Sequence, residues 1–123
     1  MAEFTEPDLA AALEAKDAAA VAFAIRNGSV TVPLLGSPEG PEQVRVFRRD
    51  GADKYMLLLF SSTATYEAML PGEDSPLSQT WERPALRDYL DSNVGVLESV
   101  WFDVAGPHPM QADPADILAA LTI

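Results

Sequence analysis

Hydrophobic positions along this chain repeat with two periods, and the changes between them mark out the elements. The segment "TEPDLAAALEA" opens with helix signals: Thr5 as a cap, Asp8 three residues later in capping-box spacing, and Pro7 in the first turn. Leu9 and Leu13 then share one face. Asp17 either starts a second helix or lies within a continued first one. Val21, Ala24 and Ile25 form the next apolar side, and Asn27-Gly28 is a helix stop. The period then drops to two. "SVTVPLL" reads as a strand with Val30, Val32 and Leu34 on one face. Pro33 lacks a ladder donor, which predicts an edge position or a strand end. Residues 36–42 read as a loop. "QVRVFRR" is expected as one strand with Val44 and Val46 on a common face. "DGAD" turns it into a hairpin partner, "KYMLLLF", which is apolar on both faces and so is expected in the middle of the sheet.

The apolar run ends at Phe60, and Ser61, Ser62 and Thr63 follow. Hydroxyl side chains accept the free amides of a helix's first turn, so this stretch reads as a cap for the helix in "TYEAML", closed by Pro71 and Gly72. "PGEDSPLSQT" reads as a polar loop. "ERPALRDYLDSN" is a helix with Pro84 in its first turn and Leu86, Tyr89 and Leu90 on one side. "LESVWFDV" is a strand in which Val100, Phe102 and Val104 alternate with Trp101 and Asp103. "AGPHPMQ" is a Pro-rich turn, and "DPADILAALTI" is a closing helix capped by Asp113, with Ile117, Leu118 and Leu121 as its stripe. The order predicts one α+β domain over residues 1–123, with helices packed on a mixed sheet of about four or five strands.

Composition narrows the class. A chain of 123 residues that is 48% hydrophobic has the size and apolar content of one globular domain. It has no Cys, so disulfides, thiol nucleophiles and Cys-ligated zinc are excluded, and the lone His removes the other common zinc sets. The acidic start and the short apolar runs predict neither a signal peptide nor a membrane span, and a cytoplasmic location is expected. The net charge of −11 opposes binding to nucleic acid or anionic membranes. After Thr65 the basic side chains are Arg83 and Arg87 alone. A solvated acidic surface accounts for this imbalance; the sharper reading is an acidic face that meets a basic protein or mimics nucleic acid.

Candidate chemistry is sparse. No Gly-x-Ser-x-Gly surrounds Ser61 or Ser62, no phosphate-binding Gly-rich loop is present, and no calcium-loop spacing occurs. A Ser61 or Ser62, His108 and Asp103 set is formally available, but triads are defined by geometry and not by composition. His108, held between two prolines, reads first as a packing or surface residue of a stiff loop. Trp101 is expected under a helix or, alternatively, as an interface anchor, and Trp81 as a staple for the preceding loop. No cofactor and no metal are expected.

Three segments carry a resemblance to a known family. "SVTVPLL" after a helix pair, "LLLFSSTATYEAM" as a strand entering a helix, and "VWFDVAGPHPMQADPADILAAL" as a closing strand, turn and helix are similar in order and spacing to the N-terminal domain of the SseB family of enhanced serine sensitivity proteins. The family's Asn-Pro position reads Asp103-Val104 here, and the second domain of longer members is not expected in these 123 residues. The resemblance implies a bacterial α+β module with an adaptor or chaperone-like role and no catalytic residues to carry over.

Two functions are therefore expected in competition. The first is a non-enzymatic protein-interaction module with a protein partner, a basic one by charge; an immunity protein or antitoxin is a special case of it. The second is a small-molecule binder or hydrolase built from the Ser61/Ser62 turn and the His108 loop, which share one sheet end if their strands are adjacent and parallel. A weak homodimer through the "SVTVPLL" edge is a further expectation.

Overall fold

The computed structural model describes residues 7–35, 43–73 and 77–122. The expected Thr5 cap, the loop at 36–42 and part of the loop before Leu77 lie outside these residues. The fold is α+β. Helix α1 (Pro7–Glu14) and helix α2 (Ala18–Asn27) precede strand β1 (Ser29–Leu35). Asp17 settles the open question between them: it is extended and its carboxylate accepts the Ala20 amide at 3.1 Å, so it caps a separate helix. Strands β2 (Gln43–Val44), β3 (Val46–Phe47) and β4 (Tyr55–Leu59) follow, then α3 (Thr63–Met69), β5 (Ser78–Glu82) and α4 (Arg83–Asn93). A short 3-10 turn leads into β6 (Leu97–Phe102), β7 (Met110–Ala112) and α5 (Pro114–Thr122).

The strands form two sheets where one was expected. Their orders are β2-β1-β5 and β3-β4-β6-β7. Only the β4–β6 ladder is parallel, so the four-stranded sheet is mixed. The expected single strand "QVRVFRR" breaks at Arg45 and serves both sheets, with β2 on β1 and β3 on β4. A second link is the bridge in which Thr31 and Phe60 exchange backbone hydrogen bonds of 2.8 and 3.0 Å.

Strand β1 is not an edge. It lies between β2 and β5, and its residues from Val30 to Leu34 are buried on both faces. Pro33 is tolerated there because of backbone alternation. Leu34 donates to Leu77 beside β5, so the even residues of β1 bond β5, while Thr31 turns the other way to Phe60. The nitrogen of Pro33 therefore faces the side where pairing is only local, and its carbonyl still accepts the Arg45 amide at 2.9 Å. The expected homodimer through this strand has no free edge to use. Strand β4 does run between two neighbours, as its doubly apolar pattern predicts.

The main core lies between the helices and one face of the sheets. Leu9, Leu13, Ile25, Val32, Leu57, Leu59, Leu86, Leu90, Val100, Phe102 and Leu121 are all buried in it. The C-terminal end of α5 is held by two arginines from other elements. Arg26 Nε donates to the Ala120 carbonyl at 2.9 Å and Arg83 Nε to the Leu121 carbonyl at 2.8 Å, satisfying carbonyls that a helix end leaves free and complementing its dipole.

Candidate functional site

Because β4 and β6 are parallel neighbours, the turn after each leaves the sheet at the same end, and Ser61 meets Asp103 there. Ser61 donates to the Asp103 carboxylate twice, from its amide at 2.7 Å and from its hydroxyl at 2.6 Å. Thr65 Oγ1 adds a third bond at 3.0 Å. Both partners are nearly closed to solvent, Ser61 at 3% and Asp103 at 5% exposure. Asp103 adopts φ +48°, a left-handed conformation that Asp tolerates better than most residues. That turn also sends the next residues back: Gly106 N–H bonds the Asp103 carbonyl at 2.8 Å, and a side chain on Gly106 would press on that same carbonyl.

The adjacent serines thus have different jobs. Ser62 caps α3, its hydroxyl accepting the Thr65 amide at 3.1 Å as the sequence predicts. Ser61 latches the end of β4 to the end of β6. In a Ser–His–Asp arrangement the imidazole stands between hydroxyl and carboxylate. Here the hydroxyl meets the carboxylate directly, and among the described residues no hydrogen bond joins His108 to either. His108 is half-buried further along the same loop. The structure therefore brings Ser61, Ser62 and Asp103 together and does not assemble the formal triad.

The larger feature is on the other face of the four-stranded sheet. Phe47 from β3, Met56 and Leu58 from β4, and Ser99 and Trp101 from β6 point away from the main core. With Met69 from α3 and Val104 and Ala105 from the turn after β6, they line a groove of about 610 Å³. Leu58 is the buried member of the lining, and behind it Leu58 packs in one cluster with Phe60 and Tyr66, whose rings are 5.2 Å apart. Trp101 is half-buried on this open face and not sealed under a helix; the end of α3 reaches only one side of the groove.

Two charged pairs frame the region. Arg49 grips Glu98 through two bonds of 2.8 Å, so that the arginine bond holds the Glu98 carboxyl below its usual range. Arg45 grips Glu73 at 2.9 and 3.2 Å, lies over the Phe47 ring at 5.5 Å, and reaches the Tyr66 hydroxyl at 3.5 Å. Burial pushes the Tyr66 phenol up, with the Arg45 bond acting in the opposite direction.

Trp81, expected as a staple for the preceding loop, is a strand residue. It belongs to β5, whose first three residues fall in the stretch expected to be a polar loop, and it meets Tyr89 edge-on at 5.8 Å and donates to Gln79 at 2.8 Å. Of the groove residues, sequence reasoning singled out only Trp101. The doubly apolar pattern of "MLLL" was the available signal for the others, because it requires a second apolar face as well as the core face. Among the described residues no cluster of His, Asp and Glu has the arrangement to hold a metal ion, and no helix is long and apolar enough to cross a membrane. No family model and no curated protein matches this chain.

Proposed function

We propose that this protein is a protein-interaction module and that the open apolar face around Trp101 is its recognition surface. The observation that carries the reading is the groove itself: on the sheet face opposite the main core, Phe47, Met56 and Trp101 from the strands and Met69 from α3 stand half-buried around the buried Leu58, so an apolar lining stays partly open to solvent. Trp is the side chain most often found as an interface anchor, and the methionines give the surface a soft, adaptable lining. The resemblance to SseB-family N-terminal domains supports an adaptor or chaperone-like role in a bacterial cytoplasm. The charge of −11 favours a basic partner over nucleic acid or an anionic membrane.

A second reading places an apolar small molecule in the same groove, and its volume supports this, since ligand sites span roughly 300–1,000 Å³. In that reading the site is the sheet face, with the Ser61 turn and the His108 loop at its end. Affinity capture from the native host separates the two. Wild type and His108→Ala are expected to retain the same salt-sensitive protein, and Trp101→Ala to lose it. A partner that survives Trp101→Ala, or a retained metabolite in place of a protein, would sink the interaction reading as placed here.

A further inference from the structure

The four outer strands of the two sheets are unequal. Strands β2 and β3 have two residues each and β7 has three, while β5 has five. Natural sheets protect long edges with Pro, Lys or a bulge. Strand β5, "SQTWE", has neither residue, and its register with β1 runs without a shift from Ser78 to Glu82. Among the described residues β5 ends its sheet, and its residues Gln79, Thr80 and Glu82 are exposed.

Backbone parity shows which groups of β5 have no strand partner among the described residues. Leu34 bonds Leu77 as its direct partner, so the odd residues of β5 pair with β1 and the even ones point outward. Thr31, opposite Thr80, confirms this by bonding Phe60 instead. The outward groups therefore belong to Ser78, Thr80 and Glu82, with the Glu82 carbonyl committed to the first turn of α4.

We infer that β5 is a self-pairing edge that takes a second copy of this chain, antiparallel and centred on Thr80. In that register each Thr80 exchanges its amide and carbonyl with Thr80 of the second copy, and each Glu82 amide meets the carbonyl of Ser78 across the axis. The pattern is self-complementary. Thr faces Thr, the Ser78 hydroxyl faces the Glu82 carboxylate, and the two carboxylates sit at opposite ends. Sliding the register so that Glu82 faces Glu82 would set like charges against each other, and centring on Thr80 is the register that pairs all three outward residues of β5. The contact is isologous and closes at two copies, joining two three-stranded sheets into one of six strands. It leaves the Trp101 face open, so it stands or falls separately from the interaction reading.

Sedimentation equilibrium over a concentration series tests it. The wild-type chain is expected to approach twice its 13.2 kDa mass, more readily as salt screens the −11 charge of each copy. Thr80→Glu, on an exposed side chain, is expected to keep the far-ultraviolet circular dichroism and lose the dimer. An equimolar mixture of Thr80→Glu and Thr80→Lys is expected to recover it, and Trp101→Ala to leave it unchanged. A wild-type chain that stays at single mass, a Thr80→Glu dimer as stable as wild type, or a mixture that fails to recover overturns the proposal.

Discussion

Leu57 and Leu58 are neighbours in one strand, but they belong to different environments. Leu57 joins Leu59, Val100 and Phe102 in the main core, while Leu58 joins Met56 and Trp101 on the opposite face, where α3 covers only one side. The covered face is aliphatic and aromatic, without a polar side chain from β4 or β6 in the core. The open face mixes Met, Trp and Ser99, with Gln111 and the Arg49–Glu98 pair at its margin. Equal hydrophobicity along a strand thus serves two ends: closing the core on one side and presenting a surface on the other. The comparison also shows why the groove is held in shape. Its walls are the reverse side of strands pinned by the main core, so the surface is preformed.

The adjacent pair Phe102 and Trp101 tests this contrast most strongly. Phe102 is fully buried, and Phe102→Ala is expected to cost about 3–5 kcal/mol in urea unfolding. Trp101→Ala, at a half-buried site, is expected to cost roughly half as much while removing binding. Equal stability losses would mean that the two faces are both structural core.

Next in size is the latch that sets the end of the groove. Asp103→Ala removes the acceptor for the Ser61 amide, the Ser61 hydroxyl and Thr65, leaving buried donors without partners. The expected cost is about 2–3 kcal/mol. Because Val104 and Ala105 enter the groove from this turn, loosening is also expected in hydrogen exchange at residues 103–106. A neutral Asp103→Ala variant would show that the turn is held by packing alone.

Much of this architecture was legible because it is local. The cap at Ser62, prolines in first helical turns, and the apolar stripes of α2, α4 and α5 all act within one or two turns of chain, whereas Asp17 left a cap and a continued helix equally open. The split of "QVRVFRR" was not legible, since it arises where Arg45 bonds Pro33 and reaches Glu73, both distant in sequence. Strand β5 lacks an apolar alternation because its outer side faces solvent, and β7 is only three residues long. Of the site, Trp101 could be singled out by residue type. The Asp103 latch could not, because its meaning depends on two strands being parallel neighbours.

The smallest expected effect concerns the groove's margin. Arg49 is 64% exposed, and its pair with Glu98 is screened by solvent, so Arg49→Ala is expected to change stability less than either variant above. Its signature is in the pH dependence. The Arg49 bond lowers the Glu98 pKa in the folded chain, so the folded state binds its proton later than the unfolded chain does as pH falls. The contribution is therefore present at neutral pH and is lost as the pH drops through the folded-state value. Urea midpoints measured from neutral pH down through the carboxylate range are expected to fall less steeply in Arg49→Ala than in wild type. At the same time, capture of the partner at neutral pH is expected to persist if, as proposed, the apolar lining and not the ion pair supplies the contact. If Arg49→Ala abolished capture while Trp101→Ala left it intact, the margin would be the recognition element and the apolar face only its support.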